Sequence, residues 1–212
     1  MSLSFHYASS LLFVVLAVLG TTTTMIGSTS NQAWADVIEG TEGPDFIDGT
    51  PGDDQIDSKG GNDFNLGRPG NDIIDSGGGS DTNSGEGGND VIDSGRRSDF
   101  NTGDTQFGTG SGDDVIASGE EDDLNDGDSN SGDGSGDDVI DSGGGSDNNS
   151  GDTSSGKGSG NDVIASGEGS DNNFGDAGSG HGSGNDVIAS GEGDDGNLGD
   201  TLFGDGTGND VK

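Results

Sequence analysis

Residues 158–164 read GSGNDVI, and this stretch decides the fold because it returns along the chain at fixed distances. The same letters stand at 182–188, and GSGDDVI stands at 110–116. The glycines leave only the three residues D-V-I that favour a strand, and no apolar period of 3.6 residues accompanies them. The stretch therefore predicts a very short strand between glycine-rich turns, repeated many times.

The repeat is marked by aspartate, which recurs every nine residues from 36 to 99 and then at alternating steps of nine and fifteen from 114 onward. Two positions after the aspartate, Ile in one unit alternates mostly with Asn in the next, so two units make one coil. Such self-similarity is typical of solenoids. We therefore predict an all-β parallel β-roll or β-solenoid, with 18-residue coils over residues 36–111 and 24-residue coils over residues 112–212. The six extra residues fall before Gly112, Gly136, Gly160, Gly184 and Gly208.

The composition indicates that the chain alone cannot stabilise this fold and that a ligand must do so. The 212 residues include 47 glycines and carry 42 acidic against 6 basic side chains, a formal charge of −36. So little apolar burial with so much like charge normally leaves a chain disordered. Divalent cations are the expected stabiliser, since they take hard oxygen ligands and cancel carboxylate repulsion. The negative charge argues against a nucleic-acid partner, and the absence of cysteine excludes disulfides and thiolate metal sites.

The first 35 residues are of a different kind. They contain no Asp, Glu, Lys or Arg, and an apolar run from Leu11 to Leu19 precedes Thr- and Ser-rich sequence ending in Ala33-Trp34-Ala35. The run is short for a membrane span, and the small residues fit an A-x-A cleavage site. We predict a cleavable signal peptide over residues 1–35, a secreted or cell-surface location and no membrane insertion after cleavage. An uncleaved anchor is the alternative, and it also places the acidic part outside.

The repeat resembles the repeats-in-toxin, or hemolysin-type, calcium-binding arrays, whose nonapeptide is G-G-x-G-x-D-x-U-x. The resemblance covers residues 36–212 and implies a parallel β-roll in which glycine-rich turns on both edges bind several Ca²⁺ ions. It also implies that each in-phase aspartate is a metal ligand and each in-phase isoleucine a core residue. The implied ligands are Asp36, Asp45, Asp54, Asp63, Asp72, Asp81, Asp90, Asp99, Asp114, Asp123, Asp138, Asp147, Asp162, Asp171, Asp186, Asp195 and Asp210.

The spacing gives this resemblance a physical reason. One coil advances about 4.8 Å, the separation of neighbouring strands, so aspartates one coil apart form a column of like charges. A calcium ion between two coils can take oxygens from both. Because no such column exists in the unfolded chain, ion binding and folding are expected to be one process.

The asparagine units leave two alternatives open. Five of them read D-x-N-x-G-D, at 99–104, 123–128, 147–152, 171–176 and 195–200. Either the Asp and Asn side chains bind an ion locally, without the Glu that completes an EF-hand loop, or the amides stack as a hydrogen-bonded ladder. We favour the ladder.

Two further expectations concern partners and activity. Val115, Val139, Val163, Val187 and Val211 precede the Ile positions, so alternation puts them on the outer face. This predicts an exposed stripe, available for lateral self-association or shielded by its polar neighbours.

No nucleophile, base and orienting group stand out in the sequence. We therefore expect no enzyme but a secreted calcium-binding structural, surface or adhesive module. The alternative is the calcium-binding array of a larger exoprotein, a toxin or hydrolase, with its effector domain elsewhere.

Overall fold

A computed structural model of the chain describes residues 24–27, 35–105, 107–129, 131–199 and 201–208. Except for the strand Thr24–Gly27 and Ala35, the predicted signal peptide lies outside these ranges, as do Asp210 and Val211. The described residues contain no helix, and therefore none long and apolar enough to cross a membrane. They form short parallel strands, which confirms the predicted all-β parallel β-roll or solenoid.

Two parallel sheets run the length of the described array. In sheet A the strands follow the order β1-β3-β5-β7-β9-β12-β15-β18-β21, and in sheet B the order β2-β4-β6-β8-β11-β14-β17-β20. The sheet A strands are β1 Thr24–Gly27, β3 Asp45–Asp48, β5 Phe64–Pro69, β7 Thr82–Gly87, β9 Phe100–Thr102, β12 Leu124–Asp126, β15 Asn148–Ser150, β18 Asn172–Phe174 and β21 Gly196–Leu198. The sheet B strands are β2 Val37–Glu39, β4 Gln55–Asp57, β6 Ile73–Asp75, β8 Val91–Asp93, β11 Val115–Ala117, β14 Val139–Asp141, β17 Val163–Gly167 and β20 Val187–Ser190.

The longer coils add a third parallel sheet. Sheet C has the order β10-β13-β16-β19-β22, and its strands come from the six residues that each longer coil gains, together with their neighbours. Its first strand begins at Phe107, so the change from two-sided to three-sided coils starts before residue 112. The sheet C strands are β10 Phe107–Thr109, β13 Ser131–Asp133, β16 Gly156–Lys157, β19 Ala177–Gly184 and β22 Thr201–Gly208.

The strand register follows the sequence repeat. Ile56 pairs with Ile74 at a separation of 18 residues, and Ile140 pairs with Ile164 at a separation of 24. Equivalent residues therefore stack directly on one another, as in other solenoids. The stacked isoleucines of sheet B are buried and form the hydrophobic core with Ile47 of sheet A: Ile38, Ile56, Ile74, Ile92, Ile116, Ile140, Ile164 and Ile188.

The asparagines of sheet A face those isoleucines and form the predicted ladder. Each buried Asn donates from Nδ2 to Oδ1 of the Asn one coil later at 2.8–2.9 Å. The same Nδ2 donates to a serine hydroxyl seven residues earlier, as Asn125 does to Ser118 at 3.0 Å. Because a buried amide without partners is costly, the ladder makes a half-polar core stable.

The valine stripe of sheet B is exposed, as predicted from the alternation. Val115, Val139, Val163 and Val187 keep 40–43 % of their surface accessible. The row continues upstream through Val91 and Ile73, at 41 % and 51 %. Association of chains through this stripe stays a prediction.

Candidate metal centre

The in-phase aspartates form two rows. Row 1 stands where the chain enters sheet B, and row 2 where it enters sheet A, so the turns on both sides of the roll carry one row each. Row 1 contains Asp36, Asp54, Asp72, Asp90, Asp114, Asp138, Asp162 and Asp186. Row 2 contains Asp45, Asp63, Asp81, Asp99, Asp123, Asp147, Asp171 and Asp195.

One carboxylate oxygen of these aspartates links neighbouring coils. The backbone N–H of each aspartate that has a described counterpart one coil later donates to Oδ1 of that counterpart, over 2.7–3.1 Å. For example, Asp114 donates to Asp138 at 2.8 Å. This contact fixes the carboxylate plane and leaves the second oxygen to point elsewhere.

That second oxygen is buried and lacks a hydrogen bond in most of both rows. A buried polar atom without a partner is rare, and a charged one is costly. A repeated set of such oxygens therefore indicates a ligand that the protein itself does not supply. The Oδ2 atoms in this state belong to Asp63, Asp72, Asp81, Asp90, Asp99, Asp114, Asp123, Asp138, Asp147, Asp162 and Asp171.

The raised pKa values of the row 1 aspartates also indicate that these carboxyl groups need a ligand. Burial raises the pKa of Asp72 and Asp90 to about 7, and that of Asp114 to about 8, although backbone N–H groups lower it. Burial likewise raises the pKa of Asp138 to about 10, with the charge of Asp128 adding to the rise. A carboxyl group in this state binds a proton or a cation, since both remove the cost of a buried charge.

Row 2 differs because a serine hydroxyl hydrogen-bonds most of its aspartates, namely Asp63, Asp81, Asp99, Asp123 and Asp147. Burial raises the pKa of Asp81 and Asp123 to about 6, while Ser76 and Ser118 respectively lower it by hydrogen bonding. These serines are the same residues that hold the asparagine ladder. The serine hydroxyls thus offset part of the effect of burial, although burial still raises the pKa of Asp99 to about 7 with Ser94 beside it.

The surroundings of the free oxygens suit calcium. A Cβ placed on Gly67 would lie 2.4 Å from Oδ2 of Asp72 and 2.8 Å from the carbonyl oxygen of Gly85. Carboxylate and carbonyl oxygens thus converge beside a residue that has no side chain. Calcium takes six to eight oxygen ligands of these kinds, so the residues present fit the ion.

A third set of aspartates was not among the ligands predicted from the sequence. Asp104, Asp128, Asp152 and Asp176 end the D-x-N-x-G-D motifs and are fully or almost fully buried. They lie off the nine-residue phase, but their constant place at the end of the motif, 24 residues apart, was a usable signal. Local chelation by the motif asparagines does not occur in this geometry, because those side chains turn inward to the ladder.

Each aspartate of this third set approaches row 1. Ligand oxygens within 4.8 Å of one another come from Asp104, Asp114 and Asp128, and the same trio recurs one coil and two coils later. The members of the later trios are Asp128, Asp138 and Asp152, then Asp152, Asp162 and Asp176.

Comparison with known families agrees with this geometry over residues 35–100, which hold most of the 18-residue coils. Residues 35–64 and residues 66–100 each match the family described as RTX calcium-binding nonapeptide repeat (4 copies). No curated protein and no solved structure matches the chain. The matched residues hold the first members of both aspartate rows, between Asp36 and Asp99. Residues 35–100 thus belong to the RTX calcium-binding nonapeptide repeat family, and the chain is a calcium-binding repeat protein.

Proposed function

We propose that the chain is a secreted structural module that, at neutral pH, folds only when calcium occupies its aspartate rows. It acts as a spacer, surface coat or adhesive component rather than as an enzyme. The observation that carries the proposal is the row of buried Oδ2 atoms without hydrogen-bond partners, repeated from coil to coil. Calcium supplies the positive charge and the oxygen coordination that these atoms lack.

Binding and folding are coupled in this proposal because each ion site is shared between coils. The aspartates of a row are 18 or 24 residues apart in sequence and meet only when the coils stack. Ligands that bind only the folded state stabilise it by mass action. The ions therefore add to each interface between coils, which in a solenoid is the main source of stability.

A structural role agrees with the repeat family and with the uniform, strand-only architecture. RTX repeat proteins are generally secreted, and the predicted signal peptide over residues 1–35 supplies a route for export. Sequencing the N-terminus of the exported protein tests the cleavage: a mature chain that begins at Asp36 supports a cleaved signal peptide, and one that retains residues 1–35 contradicts it and favours the uncleaved anchor.

Circular dichroism of the chain during a calcium titration tests the coupling. We expect a disordered spectrum in chelator at neutral pH and a β-rich spectrum at roughly 0.1–1 mM calcium, the range of extracellular calcium modules. Magnesium should substitute poorly, because it requires near-octahedral geometry and loses its water reluctantly. A β-rich spectrum that persists in excess chelator at neutral pH would refute the proposal.

A further inference from the structure

The third aspartate set lies inside the three-sided segment and faces row 1. Asp128 and Asp152 are 0 % exposed, and both carboxylate oxygens of each lack a hydrogen-bond partner. Oδ2 of Asp114, Asp138 and Asp162, which also lacks a partner, joins the same groups of oxygens. Two independent sets of unpartnered, buried oxygens therefore converge on one another.

Backbone atoms add to this convergence. A Cβ placed on Gly127 would lie 2.3 Å from Oδ2 of Asp138 and 1.7 Å from the carbonyl oxygen of Gly151. Gly151 has the same relation to Oδ2 of Asp162, at 2.3 Å, one coil later. The glycine before each third-set aspartate thus leaves room in which carboxylate and carbonyl oxygens meet.

The two-sided coils lack this arrangement because they neutralise the same position with their own side chains. The residues that stack above Asp104 in the 18-residue coils are Thr50, Arg68 and Glu86. The Thr50 hydroxyl donates to Asp54 at 2.9 Å. Arg68 pairs with Asp48 and, at 3.3 Å, with Glu86, so one guanidinium offsets half of the charge of two carboxylates. From Asp104 onward the described part of this column contains only aspartates.

We propose that Asp104, Asp128, Asp152 and Asp176, together with Asp114, Asp138 and Asp162, hold a row of divalent cations inside the three-sided segment. The proposal extends the proposed function, since it assigns to this segment its own ligand set beyond the in-phase aspartates. Each ion sits between two coils and takes one carboxylate from row 1 and two from the third set. Asp128 and Asp152 each bridge two neighbouring ions.

Charge and ligand type identify the class of ion. The three groups contain seven different aspartates, so three divalent ions bring six positive charges against seven negative ones. Every donor is a hard oxygen, which favours calcium-like cations over zinc, which is usually bound by nitrogen and sulfur. The glycine carbonyls add further oxygen ligands of the kind that calcium uses.

Counting bound calcium in the double variant Asp128→Asn/Asp152→Asn tests the proposal. Every one of the three groups contains Asp128 or Asp152, and asparagine keeps the shape while removing the charge. In the full chain at saturating calcium, equilibrium dialysis followed by elemental analysis should show three ions fewer than in the wild type. The same number of ions as in the wild type overturns the proposal, and would mean that these carboxyl groups hold protons.

The double variant Asp113→Asn/Asp137→Asn is the matched control. Both residues are exposed, lie in the same coils, and have Asn161 as their counterpart one coil later, so the substitution already exists in the repeat. This control should keep every ion. A loss of ions here equal to that of the test variant also overturns the proposal, because it would assign the effect to net charge.

A single variant keeps the test decisive if the double variant does not fold. Asp104 belongs to one group only, so Asp104→Asn should lose one ion and keep a β-rich spectrum in calcium. If this variant retains all the ions of the wild type, the proposed row of cations is wrong. The calcium titration of the wild type reports separately on the proposed function, since a wild type that folds in chelator at neutral pH refutes that function whatever the variants bind.

Discussion

The asparagine ladder predicts a large loss of stability when one buried rung is removed, and Asn149→Ala is the cleanest case. Asn149 is 1 % exposed. Its Nδ2 donates to Ser142 at 3.0 Å and to Asn173 at 2.8 Å, and its Oδ1 accepts from Asn125 at 2.9 Å. Alanine removes all three hydrogen bonds and leaves buried polar partners on both neighbouring coils.

The magnitude follows from those three contacts. An intramolecular hydrogen bond contributes about 1 kcal/mol net, so their loss costs about 3 kcal/mol. For a chain of 150–250 residues, 1 kcal/mol corresponds to about 2–4 °C in Tm, so Asn149→Ala should lower Tm by about 6–12 °C. Alanine cannot refill the space, and Nδ2 of Asn125 and Oδ1 of Asn173 each lose a buried partner, so the fall in Tm should lie at the upper end of this range.

The assay is thermal unfolding by circular dichroism in saturating calcium, with the bound ions counted in parallel. Asn148→Ala is the control, because Asn148 lies on the same strand but is exposed and accepts one hydrogen bond, from Asn172 at 3.1 Å. The control should change Tm by less than about 2 °C, since surface substitutions stay within about 0.5 kcal/mol. Equal Tm values for the two variants would refute the ladder, and the loss of an ion in Asn149→Ala would make the asparagine a ligand.

Two further predictions concern pH and the apolar column. Burial raises the pKa of Asp138 to about 10 and that of Asp162 to about 9, against an ordinary value of 3.8 for an aspartate carboxyl group. The folded chain without calcium therefore binds protons that the unfolded chain does not, and its stability rises as pH falls from about 9 toward 4. In chelator, β signal should appear on lowering the pH from about 8 to about 4.5, and a signal that stays absent contradicts the assignment of these buried carboxyls. Ile140→Ala should lower the free energy of unfolding by about 2–5 kcal/mol, because the Ile140 side chain is 1 % exposed. Val139→Ala on the same strand is the control and should lower it by less than about 0.5 kcal/mol. Similar Tm values for the two variants would show that the isoleucine column is not the core.

The sequence predicted the two long sheets and their register well, because one spacing controls both. A period of 18 or 24 residues brings Ile over Ile and Asn over Asn, as in the pairings Ile116 with Ile140 and Asn125 with Asn149. The inward direction of the asparagines followed from their occupying the isoleucine position of the alternate unit. The sequence repeat and the stacking of the coils favour the same structure, so local and global preferences support each other.

The third sheet was harder to predict because its strands carry little strand signal. Segments such as Ser131–Asp133 and Gly156–Lys157 contain no apolar residue and much glycine, so they resemble turns. They become strands because the neighbouring coil presents an identical backbone to pair with. The third aspartate set was missed for a related reason: Asp104 and Asp128 are off phase, and their burial depends on the sheet that encloses them.

The direction of the buried hydrogen bonds gives the rod two unlike surfaces at every boundary between coils. The aspartate N–H of one coil donates to the carboxylate of the next, as Asp114 does to Asp138, and the asparagine amides donate in the same sense. A cut between two coils therefore leaves N–H and amide donors on the piece before the cut and bare carboxylate and carbonyl oxygens on the piece after it. The following piece begins with concentrated negative charge, whereas the preceding piece ends in donors. Each fragment of the array consequently begins, as the intact array does at Asp45, with carboxylate oxygens that receive no donor from a preceding coil, whichever end has been shortened.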